Sequence, residues 1–271
     1  MIVNLKSVSK VSNGYPVLQQ INLKISKGEA IAIIGHNGSG KSSLLKLIAG
    51  IYEPTNGNVE RRRVKIGYVP EHFPEGVRFT IEEYLLLIGK ISGKQPSELR
   101  KKISDYADIF SISSYLQTPL RRCSKGTKQK VGIIQSLLQE PSLLLLDEPI
   151  TGLDQASQQE LVKILRSFKR DKTIVFSAHE SVLVDEIADR MIEIEKGRII
   201  ADCAVEKQEE KRIIKALIAN KQSLKALEGA ESVVWEDDKT AIFSVKASQS
   251  DQLLQALLQR HCSILQVTER R

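Results

Sequence analysis

With 271 residues, 41% of them hydrophobic and 27% charged, the chain has the make-up of a soluble globular protein of one large or two modest domains. No apolar run approaches the ~20 residues that span a bilayer, and the first residues, Met1-Ile2-Val3-Asn4-Leu5-Lys6, lack the apolar stretch of a secretory leader, so a cytosolic location is expected. The net charge of +7 admits nucleic acid, an anionic membrane surface or a nucleotide as partner. The dense basic clusters, Arg61-Arg62-Arg63 and Arg121-Arg122, lack the interleaved aromatics of a single-strand platform, so they read as a solvated or membrane-proximal face and no nucleic-acid partner is expected.

Residues 2–8 and 17–25 carry strand-like alternation, for example Leu18, Ile21, Leu23 and Ile25, with the turn dipeptide Asn13-Gly14 between the two runs. They predict an antiparallel flap. Tyr15, on this flap, has two readings: an aromatic that stacks on a purine, or a half-buried tyrosine at a strand end. The run Ala30-Ile31-Ala32-Ile33-Ile34 is apolar throughout, as in a strand of a parallel sheet covered on both faces.

Directly after it stands Gly35-His36-Asn37-Gly38-Ser39-Gly40-Lys41-Ser42, which fits G-x-x-x-x-G-K-[ST]. Glycines let successive backbone N–H groups turn inward toward phosphate oxygens. Lys41 supplies a point charge for the β- and γ-phosphates, and the Ser42 hydroxyl is a ligand for Mg²⁺. A helix over 43–49, ended by Gly50, aims its positive end at the same phosphates, and Ser43 at its head joins the nucleotide-binding set. The strand, loop and helix in this order predict a nucleotide site.

Pro54-Thr55-Asn56-Gly57 is a turn, and residues 64–70 read as a strand stopped by proline. Glu71 then leaves the strand end, either as a carboxylate for a metal or water or as an ordinary exposed glutamate. Helices are predicted over 79–91, with Thr80 and Glu83 as a capping box, and over 96–110, with Ile103, Ala107 and Phe110 at helical spacing. A loop over 111–123 leads to Ser124-Lys125-Gly126-Thr127, ahead of a helix predicted over 128–139. The serine and glycine make either a second anion-binding turn or a plain N-cap.

Four leucines, 143–146, run into Asp147-Glu148-Pro149. The pair falls at the carboxyl end of a strand, where open α/β sheets bind ligands. Strand alternation turns adjacent carboxylates to opposite sides, so that Asp147 reaches Mg²⁺ and Glu148 an attacking water. A turn over 151–154 enters a helix over 155–168, and a buried strand over 173–177 delivers His179 to the same sheet edge, in reach of a γ-phosphate. A short helix over 181–188 and a hairpin of 191–195 with 198–201 around Lys196-Gly197 follow. Beyond about residue 203 the pattern changes to a charged helix over 207–227, strands over 232–235 and 241–245, a helix over 252–260 and a strand over 263–268. That segment carries no catalytic constellation and suits packing, dimer contact or regulation. Cys123, Cys203 and Cys262 show no metal spacing and read as reduced thiols.

Over about residues 1–205 these motifs resemble the ATP-binding subunit of an ABC transporter. Residues 35–42 match its Walker A loop, and 143–148 match Walker B with the catalytic glutamate at Glu148. Residues 151–154 resemble the D-loop, which brings Asp154 into the nucleotide-site set, and His179 resembles the switch histidine. Residues 123–127 match the ABC signature in degenerate form. Ser124 and Gly126 are kept, but the leading leucine, the glycine at the third place and the final glutamine are not, and Gln129 lies just downstream. Glu71 stands where the family's Q-loop has glutamine. The Val-Pro-Glu at this place and the extra C-terminal segment resemble the branch of drug, bacteriocin and lantibiotic exporters.

The resemblance implies an α/β fold, with a RecA-like P-loop core, an antiparallel β flap and a helical subdomain at about 72–135, plus a small α+β C-terminal domain over 206–271. It implies two cassettes, as homodimer or heterodimer, closing head to tail on two ATP molecules. Each ATP would lie between the Lys41 loop of one and Ser124–Gly126 of the other. It also implies Mg²⁺ held by Ser42, Asp147 and Glu71, and an integral-membrane transporter subunit as partner, with export as the expected direction. The chain would then be cytoplasmic, peripheral on the inner face of the membrane. A soluble ABC ATPase acting on the ribosome or DNA is the alternative, although the chain has neither a second cassette nor a long coiled coil. A simple nucleotide kinase or GTPase conflicts with the signature, the Asp-Glu pair and the lack of a guanine-reading N-K-x-D.

Overall fold

The computed structural model describes residues 1–178, 181–205, 211–218 and 230–270. The described residues fall in two compact units, Met1–Glu206 and Lys207–Arg271.

The first unit is organised around a six-stranded sheet of order β5-β6-β7-β3-β8-β9. Its members are β3 (Ala30–Ile34), β5 (Ile66–Val69), β6 (Leu143–Leu146), β7 (Thr173–Ser177), β8 (Arg190–Glu195) and β9 (Arg198–Ala204). β5 to β8 and β3 pair in parallel, and β9 closes the edge antiparallel to β8. The apolar runs meet the demand of a sheet covered on both faces. Ile31 and Ile33 of β3, with Leu143 and Leu145 of β6, pack under α1 (Lys41–Ala49) and a second, three-stranded sheet. Ala30, Ala32, Leu144 and Leu146 face the other way, into the core shared with the helices on the opposite side.

The second sheet is the flap, of order β2-β1-β4, formed by β1 (Val3–Ser12), β2 (Tyr15–Ile25) and β4 (Asn56–Arg61). The hairpin turns at Asn13-Gly14, as expected. β4 was not expected, because Asn56-Gly57 opens it and arginines close it. It is an edge strand whose only apolar residue is Val59, paired with Leu5. It also changes the reading of the arginine cluster. Arg62 and Arg63 are exposed, but Arg61 Nη2 donates to the Leu47 carbonyl at 2.6 Å, at the C-terminal end of α1. Arg61 therefore neutralises a helix end rather than facing solvent.

Between β5 and β6 lie α2 (Ile81–Ile91), α3 (Pro96–Ile109) and α4 (Lys125–Leu138). The predicted capping box is present: Thr80 Oγ1 accepts from the Glu83 N–H, and the Glu83 carboxylate accepts from the Thr80 N–H. Leu85, Leu99, Ile103 and Phe110 bury the helices' shared faces. α4 begins three residues before its predicted start, so Lys125, Gly126 and Thr127 form its first turn and Ser124 is its N-cap. α5 (Gln155–Lys169) and α6 (Ser181–Ile187) complete the unit. Among the described residues no helix is long and apolar enough to cross a membrane.

The second unit holds an antiparallel sheet of order β11-β12-β10-β13. Its elements are β10 (Lys211–Leu217), β11 (Ala230–Trp235), β12 (Thr240–Lys246), α7 (Ser250–Gln259) and β13 (Ser263–Arg270). The helix expected over 207–227 is overturned for 211–217, which form β10; its remaining residues, apart from Ile218, lie outside the described ones. Ile214, Ala216 and Ile218 bury alternate positions against Phe243 of β12 and Leu253 and Leu257 of α7, a period of two. Cys262 is buried in this small core, Cys203 is exposed and Cys123 is half-buried.

Candidate active site

The carboxyl ends of β3, β6 and β7 meet at one sheet edge, and the candidate residues leave from there. β3 runs into the loop 35–40, which turns into α1 at Gly40. Gly35 has φ 149°, and a Cβ there would run into the Ile194 carbonyl and the Ser39 hydroxyl, so no other residue fits. Gly40 is the N-cap, at φ 113°, and brings no side-chain acceptor to the first N–H groups of α1. These donors and the helix's positive end point into the loop. Ser39 Oγ is buried without a hydrogen-bond partner among the described residues, a polar atom that an oxyanion beside the loop would satisfy.

Lys41 is only 5% exposed. Its ammonium donates to the carbonyls of Gly35 (2.9 Å) and His36 (3.2 Å) and lies 3.9 Å from the Glu148 carboxylate. The loop is braced from behind by distant segments. The Gly197 N–H, in the β8–β9 turn, donates to the Ser39 carbonyl, and the Gln19 N–H of β2 donates to the Gly197 carbonyl, both at 2.8 Å. A Cβ on Gly197 would strike the Val17 carbonyl.

Asp147 is 1% exposed. Its Oδ1 accepts from Ser42 Oγ at 3.1 Å and Ser177 Oγ at 2.8 Å, and its Oδ2 faces the Tyr68 hydroxyl at 3.5 Å. Burial, and then the Asp147 charge, push the Tyr68 phenol well above its usual range, so it keeps its proton. The donor set suits magnesium: cis oxygens of an octahedral shell with bonds of about 2.1 Å lie about 3 Å apart, close to the Ser42–Asp147 separation. Among the described residues no group of three or more His, Cys, Asp or Glu side chains forms a metal cage. Magnesium needs none where phosphates supply the other oxygens.

Strand alternation does not separate Asp147 from Glu148. β6 ends at Leu146, and Glu148 stands at φ 50°, in the left-handed region. Its N–H donates to Ser177 Oγ at 2.9 Å, and its side chain is 13% exposed beside Lys41. A backbone twist, rather than the pleat, thus turns the two carboxylates apart.

At the head of α4, Ser124 Oγ accepts from the Thr127 N–H at 3.1 Å. A Cβ on Gly126 would meet the Gly152 carbonyl. Gln129 is buried and donates from Nε2 to the Pro149 carbonyl at 3.4 Å. The Lys130 ammonium bonds the Phe110 carbonyl at 3.1 Å and the Asp154 carboxylate at 2.8 Å.

The sequence profile of the ABC transporter family matches residues 18–151. A relative named as an ABC transporter ATP-binding protein, from Methanocaldococcus jannaschii, is 32% identical over 199 residues, 73% of this chain and 76% of its own length. The chain belongs to the ABC transporter ATP-binding family. A solved structure described as the ATP binding subunit of an ABC transporter superposes on this ABC ATPase with TM-score 0.69 at 28% identity, over 76% of this chain and 90% of its own. A dimeric ATP-binding cassette in a post-hydrolysis state with ADP and Pi does so with TM-score 0.69 at 25% identity, over 76% and 99%. Relatives named for methionine import in Helicobacter pylori and for Nod factor export in Sinorhizobium fredii are 28% and 31% identical, over 76% and 74% of this chain and 68% and 62% of theirs.

The remaining candidates of this cassette divide. Tyr15 is 76% exposed, so the half-buried reading fails; it lies two residues before Val17, whose carbonyl approaches Gly40. Glu71 pairs with His72 Nδ1 at 3.5 Å, and among the described residues it makes no hydrogen bond to Ser42 or Asp147. The Asp154 carboxylate caps α5 through the Ser157 N–H and clamps Lys130. The Lys130 bond, and then those from Ser157, hold it well below the usual carboxylate range. His179 lies outside the described residues. Tyr68 and Ser177 were not among the candidates. The signal for Ser177 was a hydroxyl ending an otherwise apolar strand beside the Asp-Glu strand.

Proposed function

We propose that this ABC ATPase works as one half of a composite chamber that cleaves ATP to ADP and phosphate and powers export through an integral-membrane partner. The observation that carries the reading is the cluster at the sheet edge: Lys41, Ser42, Asp147 and Glu148 linked by contacts of 2.8 to 3.9 Å through Ser177. The triphosphate lies on the loop amides of 35–43, with Lys41 offsetting charge on the β- and γ-phosphates. Ser42 and Asp147 would hold Mg²⁺, which when bound neutralises phosphate charge, and Glu71, whose charge bears on Tyr68, is the further candidate ligand.

Glu148 orients and polarises the attacking water, and His179 steadies the transferring group. Ser124 and Gly126 of a second copy or homologue close the chamber, and Tyr15 offers its exposed ring to the adenine. Export rests on the Glu71 substitution and the added C-terminal unit, since relatives carry names of both directions. The partner subunit holds the cassette at the inner face of the cell membrane.

Glu148→Gln tests the reading. ATP turnover should fall by about 10²- to 10⁴-fold, the usual contribution of a general base. Fluorescent-ATP affinity should stay within a factor of about 2, as the side chain touches water rather than phosphate. With ATP and Mg²⁺ the variant should elute from gel filtration as a dimer. Wild-type turnover in this variant would overturn the assignment.

A further inference from the structure

We propose that Ser177 is a positioning residue for ATP cleavage, its one hydroxyl setting both the Asp147 carboxylate and the Glu148 peptide. The inference rests on the function proposed above. Every residue of β7 is buried, and Ser177 is 0% exposed, so its hydroxyl must find partners inside the protein. It finds them across the next strand. The register pairs Leu146 with Phe176, which brings Asp147 beside Ser177. Ser177 Oγ donates to Asp147 Oδ1 at 2.8 Å and accepts from the Glu148 N–H at 2.9 Å.

Each bond corrects something that the strand leaves undetermined. Glu148 has φ 50°, a conformation that a side chain with a Cβ avoids unless its surroundings impose it. The bond from its N–H is a constraint of that kind. Without it the peptide relaxes toward ordinary backbone and swings the carboxylate away from Lys41. Asp147 Oδ1 also accepts from Ser42, so the same oxygen is shared between the two serines. Loss of Ser177 frees the carboxylate to rotate toward Tyr68, the donor at its other oxygen. One hydroxyl therefore couples the metal-facing acid to the water-facing one.

The test compares Ser177→Ala, Ser177→Thr and each in the Glu148→Gln background. In Ser177→Ala, kcat should fall about 10- to 100-fold, the scale of a misplacement near 1 Å, with KM for ATP changed less than about 3-fold. Ser177→Thr, which keeps the hydroxyl, should recover most of kcat. In the Glu148→Gln background, Ser177→Ala should cost little further turnover, because both changes disable one unit. It should still raise, about 10-fold, the Mg²⁺ needed for half-maximal fluorescent-ATP binding. If Ser177→Ala melts early, Ser177→Cys, which keeps the volume and weakens the bond, serves in its place.

Wild-type kcat and Mg²⁺ requirement in Ser177→Ala, or an undiminished loss added to Glu148→Gln, would overturn the proposal. Failure of the underlying function looks different: the unmutated chain would bind ATP without hydrolysing it, or Glu148→Gln would hydrolyse as well as wild type.

Discussion

The loop ahead of α1 and the turn ahead of α4 are both glycine-bearing helix starts, and they are built for opposite conditions. At α1 the N-cap is Gly40, and among the described residues no side chain caps the first N–H groups and the buried Ser39 hydroxyl has no partner. Such donors suit an anionic ligand. At α4 the cap is Ser124, which already accepts from the Thr127 N–H. Gly126 there needs no unusual φ; it is small because the Gly152 carbonyl presses against it. The first turn keeps its N–H groups without a side-chain cap. The second is satisfied within its own chain and is tied through Gln129 and Lys130 to the segment that follows Glu148. In the function proposed above, that turn is the donor offered to a neighbouring copy, and these bonds tie it to the segment after Glu148.

Substitutions break this contrast in order of size. Lys41→Ala should be the most damaging. It removes charge-assisted bonds worth about 2 kcal/mol, so fluorescent-ATP affinity should drop about 30-fold, and turnover with it. Gly126→Ala should separate the two turns. Overpacking against Gly152 costs about 1–3 kcal/mol, a fall of about 5 °C in melting temperature, while ATP affinity of the single chain stays near wild type and turnover declines. A loss of affinity equal to that of Lys41→Ala would show that the two turns are not independent. Ser124→Ala should be mildest for the fold, costing about 1 kcal/mol for the lost cap, or about 3 °C by thermal melt.

The contrast also marks how far the sequence could be read. The α1 loop was legible because an apolar run, a glycine pattern and a helix stand in order, each stating the same structure by separate physics. The capping box at Thr80 was equally plain. The start of α4 was not, since lysine and glycine are unremarkable in a first turn and the cap is a single hydroxyl. β4 hid behind polar residues that an edge strand tolerates. β10 was masked by Ile213-Ile214, an adjacent apolar pair that obscures alternation, and by flanking lysines and alanine that favour helices. At the site, residue types announced Asp147 and Glu148, but the twist at Glu148 and the bond from Ser177 are tertiary events. They depend on which strand lies beside β6, and that order is not written locally.

Two hairpin turns of similar appearance carry different engineering consequences. At Gly14 an added Cβ would meet no atom of the described residues within 4 Å. Gly197 looks just as permissive on a linear map, yet it is wedged between the flap and the nucleotide loop, more than a hundred residues from either in sequence. A label or insertion at that second turn would act on the pocket from the rear, and a protease cut there would detach its support while leaving every motif intact.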